Sequence, residues 1–430
     1  MIPAQRPPSD FPAGDPRARQ DGLGWVARAV FPDPGLRLTV GDDPGATARY
    51  VVVPSLDRAR FLLPLASPRV TAASVLAYNA LRPARVRASR AAIGALARAG
   101  ALGLTRAPVL SVHGGPLLWE HIAGLLGTGR LHAAIGIRPP DPHHKPTLQL
   151  FDDAGRPRGY AKIGWNDGTR AMVRAEAATL ADLPPAAGDL PAAPRLMLHT
   201  RWQDREIAII EPMPRSVRRI RRPEVPRIAA MRAVARRGGA PVAPQPFGES
   251  TFLATWRRRA IGSATPATAS MPAREPAGPA LATRSITVDT AIDALVRRDG
   301  DLAVEFGDWH GDWVPWNMAR HRGGLLVWDW ENRAPDVPLG FDLAHQAFQT
   351  ALSTHGKPAD RCAAAVDEAL RRHGAAPGLD TARCRFVADA YLVELWLRTY
   401  ELSRGGAGWN PKLHPALLHV LCDRLRLGRP

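Results

Sequence analysis

A two-lobed α+β fold, with an antiparallel sheet first and a mainly helical half after it, is the architecture this sequence predicts. Three observations predict it. Residues 131–213 read as a strand-rich block holding one strong helical segment. The chain then runs through Glu211-Pro212-Met213-Pro214, a connection of hinge character. From residue 286 onward the pattern is mostly helical, interrupted by one short hairpin.

At 430 residues the chain suits two or three domains, and its 45% hydrophobic content supplies a packed interior. The expected division is a disordered, Pro/Arg-rich tail over 1–22, an accessory α/β module over 23–130, the sheet-rich lobe over 131–214 and the helical lobe over 215–430. A flexible Pro/Ala/Ser-rich insert is expected at 262–283. The three cysteines, Cys362, Cys384 and Cys422, are widely spaced and odd in number, against a disulfide framework or a zinc site. With no basic-then-apolar leader pattern and no apolar run of bilayer length, a cytoplasmic soluble protein is expected.

The net charge is +17, and between Arg215 and Arg259 twelve arginines face only Glu224 and Glu249. The segment reads as a solvated basic face, with docking of an acidic substrate or a membrane surface as the alternative. Nucleic acid is disfavoured because aromatic residues, which would stack on bases, are sparse there.

Taken in order, residues 50–54 and 61–64 read as a strand pair and 70–104 as helices. Gly22-Leu23-Gly24-Trp25-Val26-Ala27 has the glycine spacing of a dinucleotide fingerprint, but a Pro/Arg-rich stretch precedes it where a strand is required, and it is set aside. Residues 148–151 and 159–164, joined by a Gly155-Arg156-Pro157 turn, read as a hairpin with Lys162 in its second strand. The chain has four lysines, Lys145, Lys162, Lys357 and Lys412, and only Lys162 sits among strand residues. In an arginine-dominated chain such a lysine suggests a site that needs a compact point charge. A helix over 169–183 puts Glu176 on the apolar stripe of Val173, Leu180 and Leu183, where an unpaired carboxylate is costly. A Lys162–Glu176 ion pair resolves both oddities; a surface Lys and a Glu at a helix edge are the plain alternative. Residues 207–210 form a buried strand leading into the hinge. The basic stretch looks helical over 226–237 and 249–261.

The sharpest signal is Trp309-His310-Gly311-Asp312-Trp313-Val314-Pro315-Trp316-Asn317, followed by Gly323-Gly324-Leu325-Leu326-Val327-Trp328-Asp329-Trp330-Glu331. Residues 318–320 and 325–328 read as strands joined at a Gly-Gly turn. Antiparallel pairing then brings Asn317 and Asp329 together, about 5 Å apart between backbones. A carboxylate and an amide oxygen converging at one strand end form a hard, oxygen-rich site suited to Mg²⁺. Asp312, beside a glycine that permits a tight turn, points toward the same place, where a carboxylate takes the proton of a hydroxyl attacking phosphorus.

His310, Gly311, Asp312 and Asn317 match the HGDxxxxN loop of the aminoglycoside phosphotransferase and choline kinase-like families, relatives of protein kinases, which the sequence therefore resembles over about residues 131–425. Asp329-Trp330-Glu331 resembles their metal-binding segment, and Gly340-Phe341-Asp342-Leu343 their buried aspartate. The resemblance implies a protein-kinase-like fold with Asp312 as catalytic base, Asn317 and Asp329 as metal ligands and Asp342 as a structural anchor. Lys162 and Glu176 resemble the kinase strand-lysine and helix-glutamate pair. The Glu211 carbonyl and Met213 amide would face adenine. Glu331 would touch a second metal or the substrate. The connection before the lysine strand, which includes His143-His144-Lys145, departs from the protein-kinase pattern in lacking glycines, so Lys145, with His144, is the candidate for the terminal phosphates. The function expected is transfer of the γ-phosphoryl group of ATP or GTP, with Mg²⁺, to a hydroxyl of a small molecule, neutral or anionic by preference. A catalytically silent nucleotide-binding regulatory protein is the alternative.

Overall fold

The computed structural model describes residues 22–77, 81–101, 107–138, 143–222, 225–237, 239–240, 242–261, 287–404, 410 and 412–427. Residues 1–21 of the tail expected over 1–22, and the expected insert at 262–283, lie outside them.

The N-terminal lobe contains strands β1 Arg37–Val40, β2 Ala48–Val53, β3 Phe61–Pro64, β4 Val109–His113, β5 Leu131–Gly136, β6 Thr147–Asp152, β7 Pro157–Gly164, β8 Leu196–Trp202 and β9 Arg205–Ile210. Its helices are α1 Gly22–Val30, α2 Pro68–Leu76, α3 Ala84–Arg98, α4 Leu118–Leu125 and α5 Asp167–Asp182. Among the described residues the strands form one antiparallel sheet in the order β1-β4-β2-β3-β5-β6-β7-β9-β8. The sheet crosses the 130/131 boundary set from the sequence, because Phe61 and Leu62 of β3 pair with Gly136 and Ile135 of β5. Strands β1 to β9 therefore share one sheet. Gly22 belongs to α1 and not to a tail: Leu23, Val26 and Val30 pack into the same core as Leu148, Ile163 and Ile207. Buried Arg205 holds that helix by donating to the carbonyls of Ala29 and Arg28.

Side chains alternate across a strand. In β7 and β9 this sends Ala161, Ile163, Ile207 and Ile209 to the face covered by α1 and α4. Lys162 pairs in register with Ala208, and Ala208 packs on the opposite face against Val173 and Ala177 of α5. The face that carries Lys162 is thus the face that carries α5.

The second lobe contains α6 Ile228–Ala235, α7 Thr251–Ile261, α8 Val288–Asp299, α9 Phe341–Gln349, α10 Ala359–His373, α11 Thr381–Leu402 and α12 Ala416–Arg424. Among the described residues it also has three two-stranded ribbons: β10 Gln245–Pro246 with β11 Ala303–Val304, β12 Phe306–Trp309 with β15 Ala334–Pro338, and β13 Met318–His321 with β14 Gly324–Val327. Only the last was expected; the other two join segments far apart in sequence, where no turn signal marks the pairing. Helix α11 is the axis of this lobe, buried nearly throughout from Phe386 to Leu397. The two-lobed α+β architecture is the one the sequence predicts. No helix among the described residues is long and apolar enough to cross a membrane.

The ribbon β13–β14 is clamped on both edges, by the segment just past the hinge and by one from the N-terminal lobe. Arg218, just past the hinge, exchanges both backbone hydrogen bonds with Arg320, and Ala192 does so with Leu325 and Val327. Asp182, at the end of α5, bonds Arg237 and, at 3.1 Å, Arg333 of the second lobe. Several arginines of the basic segment have carboxylate partners: Arg236 with Glu305, Arg237 with Asp182 and Asp308, Arg257 with Asp293, and Arg259 with Glu394 and Glu401. The remaining basic face, Arg215 to Arg222, is exposed apart from Val217 and Ile220.

Gly307 in β12 leaves no room for a side chain, since a Cβ there would lie 2.2 Å from the Ala235 carbonyl oxygen at the end of α6. Gly307→Ala is expected to destabilise the fold by about 1–3 kcal/mol in urea denaturation. Gly136→Ala, where a Cβ meets nothing within 4 Å, should be close to neutral; equal effects of the two would contradict the packing of α6 on β12.

Candidate active site

Glu176 reaches the sheet because α5 starts in a fixed phase. The Asn166 side chain caps it, accepting from Thr169 N at 2.8 Å, while the Thr169 hydroxyl accepts from Asn166 N at 3.0 Å. Lys162 Nζ then lies 2.5 and 2.7 Å from the two carboxylate oxygens of Glu176, and also bonds Asp329 Oδ1 from the other lobe. Lys162 and Glu176 are both buried. Deleting one partner of such a pair costs about 3–5 kcal/mol, because a charge is stranded in a poor solvent. Burial drives the Glu176 carboxyl up to about 7 against the pull of Lys162. Burial alone would discharge Lys162, but Asp329, Glu176 and Glu331 together hold it above its ordinary value. The reverse holds for Asp329: desolvation opposes its charge, and Lys162 and Lys145 outweigh that and keep it ionised.

Asp329 leaves β14 with φ 65°, a left-handed conformation that aspartate tolerates better than most residues. Trp328 N–H donates to the Asn317 carbonyl at 3.0 Å. The last rung of the ribbon therefore places Trp328, one residue short of Asp329, opposite Asn317. Carboxylate oxygens of Glu176, Asp329 and Glu331 lie within 4.8 Å of one another. Lys145 Nζ is 2.5 Å from Glu331 Oε1, whereas Glu331 Oε2 is buried with no hydrogen-bond partner among the described residues. The loop carrying Lys145 is held by Trp165, whose Nε1 donates to the His144 carbonyl at 2.9 Å, and by His143, whose Nε2 is 3.2 Å from the Leu402 carbonyl on α11.

The 310–312 loop is held by hydrogen bonds to all three of its amides and to both of its ionisable side chains. Asp342 accepts from His310 N at 2.9 Å and Gly311 N at 3.1 Å, and Arg398 donates to the Gly311 carbonyl at 2.7 Å. Gly311 has φ +79°, and a Cβ there would sit 2.1 Å from the Asn332 carbonyl oxygen, so only glycine fits. Burial pushes the Asp342 carboxyl up to about 7 against the two amides it binds. His310 Nδ1 accepts the Asp312 N–H at 3.1 Å, so the ring's proton is on Nε2, which donates to the Trp328 carbonyl at 3.1 Å. One imidazole thus ties this loop to the strand end that precedes Asp329. Asp312 Oδ2 accepts from Asn317 Nδ2 at 2.8 Å, and Oδ1 accepts from His345 Nε2 at 3.1 Å. His345 Nδ1 in turn accepts from the Tyr391 hydroxyl at 3.2 Å. Burial works against the Asp312 charge, but His345 and Arg398 overcome it and hold the carboxyl well below the usual carboxylate range.

The structure therefore gathers Lys145, Lys162, Glu176, Asp329 and Glu331 into one charged cluster, and brings Asn317 and Asp342 onto the adjoining loop that carries Asp312. Asn317 uses its amide nitrogen on Asp312, with its backbone paired to Trp328. Glu211 and Met213 lie at the hinge; Glu211 Oε1 accepts from Arg195 N at 3.1 Å. Neither the Glu211 carbonyl nor the Met213 N–H makes a hydrogen bond among the described residues. Sequence reasoning missed His345 and Arg398. Both carried a signal: His345 follows Asp342 by three positions on one helix, hence on one face, and Arg398 closes a long apolar run.

No protein-family model matches the chain, and no curated protein matches it. Among solved structures it is similar to a thermostable mutant of aminoglycoside phosphotransferase APH(4)-Ia in complex with ADP and hygromycin B: 12% identity, 72% of this chain and 98% of that one covered, TM-score 0.44. It is also similar to amicoumacin kinase hAmiN in complex with AMP-PNP, Ca²⁺ and Ami, at 10% identity over 66% and 84% of the two chains, TM-score 0.34. A choline/ethanolamine kinase family protein from Mesorhizobium loti is similar at 13% identity over 72% and 99%, TM-score 0.31.

His310 gives a pH prediction. Burial pulls its pKa from 6.5 to about 4, so between those values the unfolded chain binds a proton that the folded chain does not. Stability from this group is complete above pH 6.5 and falls as pH drops toward 4, by about 3 kcal/mol in all. Glu176 and Asp342, whose carboxyls burial raises to about 7, titrate in the same window with the opposite sign. The His310 contribution is therefore read as the difference in urea-denaturation stability between the parent protein and His310→Gln, which should shift against the parent by that amount as pH falls from 6.5 to 4. Identical pH slopes would contradict the neutral, doubly bonded imidazole.

Proposed function

We propose that the protein is a phosphotransferase with a protein-kinase-like site, moving the γ-phosphoryl group of ATP or GTP to a hydroxyl of a small molecule. The observation that carries this reading is the Lys162 ammonium, held by Glu176 on α5 and in contact with Asp329 of the second lobe. A buried cation poised between lobes, next to an ionised aspartate on a rigid loop, is what phosphoryl transfer needs: positioning and charge neutralisation, with little covalent chemistry.

The donor set fits Mg²⁺. It is all oxygen, from Asp329, the Asn317 amide oxygen and the Glu331 Oε2 that lacks a partner. Bound there, Mg²⁺ would neutralise phosphate charge. Lys162 supplies the fixed positive charge for the non-transferred phosphates, and Glu176 prevents it from swinging away. Lys145, tethered to Glu331, supplies a second at the terminal phosphates, where protein kinases use a glycine-rich loop. The Glu211 carbonyl and Met213 N–H, unengaged among the described residues, are a backbone acceptor and donor for the nucleotide base at the hinge. Asp312 accepts the hydrogen bond of the acceptor hydroxyl, orients its oxygen on phosphorus and takes the proton as the new P–O bond forms and the nucleoside diphosphate leaves. Its depressed pKa suits late proton transfer in a loose transition state, where orientation matters more than basicity.

An ADP-release screen over aminoglycosides, macrolides, sugars and amino alcohols tests the proposal. Asp312→Asn should lower kcat by about 100-fold or more while leaving ATP affinity nearly unchanged. Equal rates in parent and variant would remove the enzymatic reading and leave a nucleotide-binding protein without turnover. Lys145→Ala should raise the KM for ATP in a protein that remains folded; unaltered nucleotide kinetics would dismiss its phosphate role.

A further inference from the structure

Helix α3 presents an apolar face to water. Of its residues only Gly94 and Ala97 are buried, and Leu76 of α2 lies over Gly94. The opposite stripe, Arg85, Ala88, Ser89, Ala92 and Leu96, recurs at helical spacing and is exposed throughout, with exposed Ile93 at its border. Leu76, Ile93 and Leu96 have 41%, 37% and 51% of their surfaces open, so one two-helix hairpin carries three large apolar side chains in water. The long polar side chain turned inward is an arginine: Arg90 Nε donates to the Val75 carbonyl at 2.7 Å and its Nη2 to the Ala77 carbonyl at 3.0 Å, closing the end of α2. A surface helix ordinarily has the reverse arrangement.

The charge around this face has one sign. Between Asp57 and Glu120 the sequence holds nine arginines and no acidic residue. Arg82, Arg85 and Arg98 are exposed and have no carboxylate partner among the described residues. Arg85 stands in the first turn of α3, where positive charge opposes the helix dipole, so the helix does not need it for its own stability. A second copy meeting this face would set arginine against arginine with no acid between them. Nucleic acid would meet the arginines but gains nothing from exposed Leu and Ile, and α3 has no aromatic residue on which a base could stack. An anionic lipid surface takes both features, apolar side chains below and phosphate beside the guanidinium groups.

We infer that α3, with Leu76 of α2, is a docking face for an anionic lipid bilayer. The helix lies flat, Leu76, Ile93 and Leu96 enter the acyl boundary, and Arg82, Arg85 and Arg98 meet lipid phosphate. This stands apart from the phosphotransferase reading and gives the first part of the sheet-rich lobe a role of its own.

The test is co-sedimentation of the full chain with vesicles of phosphatidylcholine alone and of phosphatidylcholine mixed with phosphatidylglycerol. The parent protein should bind only the mixed vesicles, and amide exchange over residues 84–98 should slow when it does. Ile93→Ser/Leu96→Ser should weaken binding about tenfold, and Arg85→Glu/Arg98→Glu about 100-fold. Arg221→Glu/Arg222→Glu, the same change of charge on another exposed basic face, should weaken it by less than about threefold. Urea midpoints should agree across all four proteins, because every substituted side chain is exposed. No binding by the parent protein, unchanged amide exchange in α3, or full binding by Ile93→Ser/Leu96→Ser would each overturn the inference. Equal losses from the two charge reversals would overturn it by reducing the attraction to net charge. Tighter binding to duplex DNA than to mixed vesicles, or a dimer abolished by Ile93→Ser/Leu96→Ser, would overturn it by giving the face to nucleic acid or to a second copy.

Discussion

One buried ammonium governs the arrangement. Lys162 emerges from a β-strand into an environment that would discharge it, and its charge survives because carboxylates from two directions surround it. Glu176 comes from the helix packed on the same sheet, and Asp329 from the ribbon of the opposite lobe. Each contact has its own structural cause. Strand alternation puts Lys162 on the α5 side, the Asn166 cap sets the helical phase of Glu176, and the left-handed turn at Asp329 aims its carboxylate back at the sheet. None of the three can be removed without stranding charge, so the lobes are held together by the same group that is proposed to serve the nucleotide.

The second constraint is rigidity of the loop from His310 to Asp312. Its amides are taken by Asp342, its Gly311 carbonyl by Arg398, and its imidazole bridges to the strand end before Asp329. Asp312 itself is gripped at both oxygens, by Asn317 and by His345 backed by Tyr391. A carboxylate so held has one orientation and little basicity. That combination favours a group that aligns a hydroxyl over one that strips it of its proton early.

Much of this was legible from residues alone where chemistry and spacing are local. A lysine among strand residues, a glutamate on an apolar helical stripe and the HGD loop with its downstream asparagine each point to their partners through period or turn geometry. What stayed hidden depends on long-range pairing. The strand β3 joins β5 across about seventy residues, which merges the expected accessory module into one sheet. The β12–β15 ribbon has no turn signal of its own. The basic segment looked like free charge until Arg236, Arg237, Arg257 and Arg259 found carboxylates from other elements. His345 was missed because a histidine on a buried helix face ordinarily reads as core.

The Asp329 end of the cluster is proposed to hold a metal-bound nucleotide against Lys162. Calorimetric titration of ATP into the protein, with and without Mg²⁺, tests it most directly when repeated with Asp329→Asn. Mg²⁺ is expected to tighten ATP binding about tenfold or more in the parent protein, with that gain largely lost in the variant. ATP binding of the same strength with and without Mg²⁺, or a gain from Mg²⁺ that survives the loss of the Asp329 carboxylate, would contradict it.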